Sequence, residues 1–245
     1  MAPPLTRSLA WADEGTSIFG RVLSGLSDEE LDGPSSLQEW TRRHVVAHVA
    51  ANAEALRNLV TWARTGVETP MYASMDQRNA DIETGALRSP AELREWFASS
   101  ARELRADLDA LTDEQWESPV RTAQGRTIGA TVVPWMRARE VMIHAVDLGA
   151  GVSFVDLPEG FLHDLVDDVV DQRTVAVGSA AHPALWLHDE VGERTWRIGE
   201  PGEGPAAREV RGTAAQLAAY LTGRDAEAAP ETVDGGPAPV LPRWL

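Results

Sequence analysis

His48, Glu140 and His144 are the residues of this 245-residue chain whose types and spacing suggest chemistry. On a helical wheel advancing about 100° per residue, Val45, Val49, Leu56 and Val60 form the apolar side of a segment that starts near Thr41. His48 and Asn52 fall at the edge of that side, whereas His44 lies further round, towards the polar side. Glu140 and His144 stand four apart in a segment crowded with Val132, Trp135, Met136, Val141, Met142, Ile143 and Leu148. They therefore share one face of a helix that is apolar on most sides, with Arg137 and Asp147 flanking the same stripe. A carboxylate and an imidazole placed there need partners, because burying them unpaired is costly. A metal ion is one efficient partner. Taken singly, the alternatives are a hydrogen-bonded histidine at the core edge and a solvated polar stripe. Taken together, two ligands from one helix and one from another is a common construction inside a bundle. A His2Glu set with its fourth position open is a catalytic zinc arrangement, not a closed structural one. Zinc in it lowers the pKa of a bound water, or of a thiol supplied from outside. His163, His182 and His188 lack ligand spacing and read as surface or structural residues.

Composition narrows the chemistry further. The formal net charge of −16 disfavours a nucleic-acid partner and an anionic membrane surface, both of which call for a basic footprint. An anionic substrate would have to be drawn in by a local basic cluster. The chain contains no lysine, which removes Schiff-base chemistry and the P-loop lysine. It contains no cysteine, which removes disulfides, thiolate ligands and a protein thiol nucleophile. No apolar run approaches the roughly 18 residues of a membrane span. The opening MAPPLTRSLAWADEG lacks the apolar stretch of a signal peptide, so a cytoplasmic location is expected.

Four helices are expected to position the three residues. The first covers residues 5–25, followed by a loop at 26–40. The second runs from a Thr41 N-cap to about Arg64. An irregular stretch from Thr65 to Arg88 follows, of a length often reserved for function. The third helix opens on a capping box of Ser89, Pro90 and Glu92 and reaches about Leu111. The fourth covers roughly Ile128 to Leu148 and stops at Gly149, with a kink or a later start at Pro134. Beyond Gly151 the pattern changes to a helix over 158–175, a hairpin of ALWLHDE and RTWRIGE, a strand in AAREVRG and a helix in TAAQLAAYLTGR. The expected fold is α+β overall, with a four-helix bundle over 1–150 and a small C-terminal α+β domain over 151–245.

Several stretches carry a family resemblance. LQEWTRRHVVAHVAANAEALRNLVTWARTGVETPMY and RTAQGRTIGATVVPWMRAREVMIHAVDLGAG resemble mycothiol-dependent maleylpyruvate isomerase, and the terminal PRWL is similar too. TRRHVVAHVA alone would indicate only the wider DinB-like metal-binding bundle superfamily. ETPMY, the Arg78–Asn79 pair, AQGRT and REVMIHAVDLG together are more specific. The resemblance implies a DinB-like four-helix bundle, a zinc ion (Zn2+) on His48, Glu140 and His144, and a catalytic arginine at Arg78. It implies cis–trans isomerisation of maleylpyruvate to fumarylpyruvate, in gentisate breakdown, with mycothiol or another low-molecular-weight thiol as cofactor. A zinc-dependent mycothiol S-transferase is the alternative on the same site. The expected partners are a small dicarboxylate substrate and the thiol, acting on a monomer. Arg126, Arg139 and Arg243 are further candidates for substrate contact, and Asn52, Tyr72 and Gln124 for the pocket lining.

Overall fold

A computed structural model describes residues 2–176, 184–199, 208–226, 228–242 and 244. His182 and Arg243 lie outside the described residues. The chain forms two compact units, Pro3–Val152 and a second that contains Ser153–Leu245.

In the first unit, α1 (Leu5–Gly25) is followed by the single turn α2 (Asp28–Leu31), and then by α3 (Arg42–Thr65) and α4 (Met75–Ala86). Next come α5 (Pro90–Asp109), the short α6 (Asp113–Trp116), strands β1 (Pro119–Arg121) and β2 (Thr127–Gly129), and α7 (Val133–Asp147). The four long helices close a ring: α1 packs on α7, α7 on α3, α3 on α5 and α5 on α1. Phe19 of α1 meets Phe97 of α5 at 4.8 Å between ring centroids. Leu56, Leu59, Leu104 and Leu108 fill the α3–α5 seam and, with Trp135 of α7, are almost wholly buried. Each such side chain contributes about 1.5–3 kcal/mol through burial. The bundle therefore has an apolar core that does not depend on its polar residues.

Local chemistry sets the helix ends. Ser89 and Glu92 exchange hydrogen bonds in the capping box expected at α5, with Pro90 in the first turn. Gly149, with φ 60°, follows α7 in the left-handed region that favours glycine.

Two expectations are corrected. The stretch Thr65–Arg88 is not irregular throughout, because its second half is α4. Ser74 caps that helix by accepting from Gln77 N at 3.0 Å, and Gln77 Nε2 donates to Asp81 one turn on, at 2.7 Å. Only Ile82, Gly85 and Ala86 of α4 are buried, so the sequence shows no apolar stripe there. Gly85 is needed where α4 meets its neighbours: a Cβ would lie 2.5 Å from Trp96 and 3.1 Å from Ala47. The fourth long helix begins at Val133, the later start beside Pro134, and not near Ile128. Ile128 is in β2 and pairs antiparallel with Val120 of β1. The AQG sequence makes the turn between these strands, with Gly125 at φ 80°. A short 3-10 helix, Ala130–Val132, leads into α7, and Pro134 falls in the first turn of α7, where its missing N–H costs nothing.

The second unit contains α8 (Glu159–Ala176), β3 (Leu185–Asp189), β4 (Thr195–Ile198), β5 (Arg208–Gly212), α9 (Ala214–Thr222) and β6 (Glu231–Thr232). Its sheet has the order β4-β3-β5-β6. The expected hairpin pairs Leu187 with Trp196, and α9 runs from a Thr213 cap to Gly223. The parallel pairing of β5 with β3, and strand β6, were not expected. Among the described residues no helix is long and apolar enough to cross a membrane.

Candidate metal centre

The start of α3 fixes which histidine turns inward. Thr41 N donates to His44 Nδ1 at 3.2 Å, and the Thr41 hydroxyl lies 2.7 Å from the same nitrogen. His44 Nε2 faces Glu83 of α4 at 3.4 Å. His44 is thus occupied by the helix start and by α4. One turn later His48 points into the bundle and is only 6% exposed, with the Trp40 ring 5.5 Å from its own.

From α7, Glu140 and His144 meet it. Glu140 Oε2 is 2.9 Å from His48 Nε2 and 3.4 Å from His144 Nε2. The two imidazoles stand edge to face, 4.7 Å apart. One donor atom from each of the three residues lies within 4.8 Å of the others. Tetrahedral zinc with bonds of about 2.0–2.1 Å requires donor separations of about 3.3 Å. The observed 2.9 and 3.4 Å lie close to that requirement.

Asp147 supports the arrangement. It is wholly buried, and its Oδ2 lies 2.8 Å from His144 Nδ1. A carboxylate there accepts a hydrogen bond from Nδ1–H and turns Nε2 towards Glu140 and His48, the orientation that metal-binding histidines use. Burial favours a neutral His144, but Asp147 and Glu140 outweigh it and push its pKa up to about 9. Burial likewise opposes ionisation of Glu140, and hydrogen bonds from His144 and His48 hold it well below the usual carboxylate value. His48 is pushed down, chiefly by burial. The centre therefore contains an ionised carboxylate and two imidazoles of unequal basicity.

The surroundings are polar and partly cationic. Arg78, on α4, places Nη2 3.3 Å from His48 Nδ1 and its guanidinium 5.8 Å from the Tyr72 ring centroid. Burial pushes the pKa of Tyr72 up. Arg137, one turn before Glu140, is 2% exposed and donates through Nη1 to Val49 O at 2.7 Å and to Asn52 Oδ1 at 3.1 Å. Burial lowers its pKa to about 10.

The structure thus brings His48, Glu140, His144, Arg78, Tyr72 and Asn52 together. Arg139 is half-buried beside Glu140. Gln124 and Arg126 are exposed in the β1–β2 turn, and among the described residues neither bonds to the centre. Sequence reasoning gave no role to Trp40, Arg137 or Asp147. The i+3 spacing of Asp147 from His144 was the available signal. In the second unit His163 is a structural residue: it is buried and faces Asp189 at 2.7 Å, tying α8 to the end of β3. His188 lies 3.6 Å from Glu209 on the neighbouring strand.

Comparison with known proteins gives the family of the chain. The family described as mycothiol maleylpyruvate isomerase N-terminal domain matches residues 12–149, which include all three members of the triad. A crystal structure of the mycothiol-dependent maleylpyruvate isomerase is 39% identical, with a TM-score of 0.89 over 99% of this chain and 98% of that one. A histidine-to-alanine variant of that enzyme matches at 38% identity, again with a TM-score of 0.89, over 99% of this chain and 98% of that one. No match was found among curated proteins. With a domain match over more than half its length and a whole-chain relative of this identity, the chain belongs to the mycothiol-dependent maleylpyruvate isomerase family.

Proposed function

We propose that this protein is a zinc- and mycothiol-dependent cis–trans isomerase that converts maleylpyruvate to fumarylpyruvate. The observation that carries the reading is the His48–Glu140–His144 triad, closed on one side by Asp147 and flanked by Arg78, in a chain without cysteine. Rotation about a conjugated C=C bond requires a nucleophile that adds and leaves reversibly, and a thiolate does both. Zinc in the centre supplies a Lewis acid that keeps a low-molecular-weight thiol ionised near neutral pH.

The protein's own residues hold and orient. His48 and His144 offer Nε2, and Glu140 offers Oε2. Asp147 fixes the His144 ring by accepting a hydrogen bond from its Nδ1–H. Arg78 sits where a substrate carboxylate, or the enolate that forms on addition, would bring negative charge, and its planar fork can bind either one bidentately. Arg137 adds a buried positive charge one turn away, locked to α3 by Val49 and Asn52. Trp40 covers the His48 side of the site.

Two consequences can be measured. Asp147→Asn should weaken zinc binding by about 10–100-fold, because the residue that orients a metal-binding histidine contributes on that scale. Competition with a chelator checks this, and unchanged affinity would remove Asp147 from the centre. The second concerns pH. In the metal-free protein His144, at about 9, is protonated at neutral pH. Zinc must displace that proton, so affinity should climb roughly tenfold per pH unit from pH 7 towards 9 and then level. The same raised pKa means that His144 stabilises the metal-free fold at low pH and loses that contribution as pH rises through about 9. A zinc affinity flat between pH 7 and 9 would contradict a protonated His144.

The function itself is tested by supplying maleylpyruvate with and without mycothiol while counting thiol. Isomerisation predicts many turnovers with no net thiol loss. Stoichiometric loss with a conjugate as product would identify an S-transferase instead.

A further inference from the structure

A second polar layer lies between α3 and α7, one helical turn from the metal centre. Asn52 stands one turn after His48 on α3, and Arg137 one turn before Glu140 on α7. Residues three or four apart share a helix face, so this pair lies on the same faces as the triad. Both are almost wholly buried, Asn52 at 3% exposure and Arg137 at 2%. Arg137 Nη1 donates to Val49 O at 2.7 Å and to Asn52 Oδ1 at 3.1 Å, both neutral acceptors. Its Nη2 is sealed from solvent and has no hydrogen-bond partner among the described residues. A cation buried without a hydrogen-bonded carboxylate is costly, and a sealed guanidinium does not itself receive a substrate atom.

Arg137 instead decides how Asn52 is turned. A guanidinium has donors only, so the Asn52 carboxamide must present its oxygen to Arg137. Its nitrogen, which carries two donor hydrogens, then faces away from Arg137. Tyr72 reports where that nitrogen stands. Burial and the Glu140 charge push the Tyr72 pKa up, whereas Arg78 and Asn52 hold it back. Only a donor favours a phenolate, so the amide nitrogen lies on the same side as the Arg78 guanidinium, which is itself 3.3 Å from His48. We propose that Asn52 donates through Nδ2 to the enolate oxygen formed when a thiolate adds to the C=C bond, and that Arg137 is the positioning residue that keeps this nitrogen turned to it. This rests on the isomerase reading of the same site. Addition forms a C–S bond and sends the C=C electron pair to the conjugated carbonyl oxygen. Rotation follows about the bond left single. Return of the pair re-forms C=C and expels the thiolate, so nothing further is consumed. A donor fixed in advance serves that oxygen without reorganisation.

The test compares the full chain as wild type, Asn52→Asp, Asn52→Ala, Arg137→Met and the double variant Arg137→Met/Asn52→Ala, each supplied with zinc and mycothiol. Steady-state kinetics on maleylpyruvate are measured beside zinc content and thermal unfolding. Asp keeps the oxygen that accepts from Arg137, adds an ion pair with it, and puts an acceptor where the donor was. Asn52→Asp should therefore unfold no earlier than wild type and hold as much zinc, yet lose about 10²–10³-fold in kcat, the cost of one oxyanion donor. Asn52→Ala should lose as much without added charge. Arg137→Met alone should lose less, and combined with Asn52→Ala should cost nothing further, because no amide is left to orient. Full kcat in Asn52→Asp, or a loss there that Asn52→Ala does not share, would overturn the role of Asn52. Losses that multiply in the double variant would overturn the positioning role of Arg137. A wild type that does not isomerise maleylpyruvate would overturn the proposed function and this inference with it, whereas an active wild type with unaffected variants would overturn the inference alone.

Discussion

His144→Ala is expected to give a folded protein that holds less than about a tenth of the wild-type zinc and turns over roughly 10³-fold more slowly or worse. The fold should survive because the bundle core does not run through the centre. Phe19, Leu56, Leu59, Leu104 and Leu108 bury their side chains with or without a ligand at position 144. Zinc should be lost because three protein ligands are the minimum for a catalytic site of this type, and removing one leaves two. His48→Ala should behave alike. Elemental analysis and circular dichroism on the same preparations check both statements. Full zinc in either variant would overturn the ligand assignment. A variant that unfolds, together with a wild type that turns nothing over, would make the metal a structural element of a binding module.

Arg78→Ala is expected to part company with those variants. It should keep its zinc, yet its turnover should fall by about 10²–10³-fold, the cost of removing one preorganised donor to a developing oxyanion. The loss should appear in kcat as well as in KM, since an enolate carries charge that the bound substrate does not. Steady-state kinetics with zinc content measured in parallel separates the two kinds of variant. Unchanged turnover would leave Arg78 as no more than a neighbour of His48 and Tyr72.

Much of this geometry could be read from residue spacing, for a physical reason. An amphipathic helix fixes which face each side chain takes, so Val45, Val49 and Leu56 decided that His48 faces inward and His44 does not. Glu140 and His144 had to share a face because they are four apart. Helix starts with strong capping chemistry, such as Ser89 and Thr213, were equally legible. The stretches ETPMY, AQGRT and REVMIHAVDLG pointed to the family that the whole-chain comparison shows.

What escaped the sequence depends on long-range contact. Helix α4 has too little buried surface to show a period, and its place is fixed by Gly85 against Trp96, a residue of α5. The β1–β2 hairpin looked like the start of α7 because Ile128, Val132 and Val133 continue an apolar spacing that tolerates either structure. The parallel pairing of β3 with β5 joins strands separated by nearly twenty residues, and nothing local encodes that register. Arg137 is an unremarkable helix residue until Val49 and Asn52 of α3 are placed beside it.

The central claim is that His48, Glu140 and His144 hold zinc with one position left for a borrowed thiolate. X-ray absorption at the zinc edge, on protein loaded with one zinc per chain, addresses it directly. Before mycothiol is added, the spectrum should contain only nitrogen and oxygen neighbours at about 2.0–2.2 Å, including two imidazoles. After addition, one sulfur should appear at about 2.3 Å while both imidazoles remain. A zinc shell without sulfur in the presence of mycothiol, or the loss of an imidazole when sulfur arrives, would contradict it.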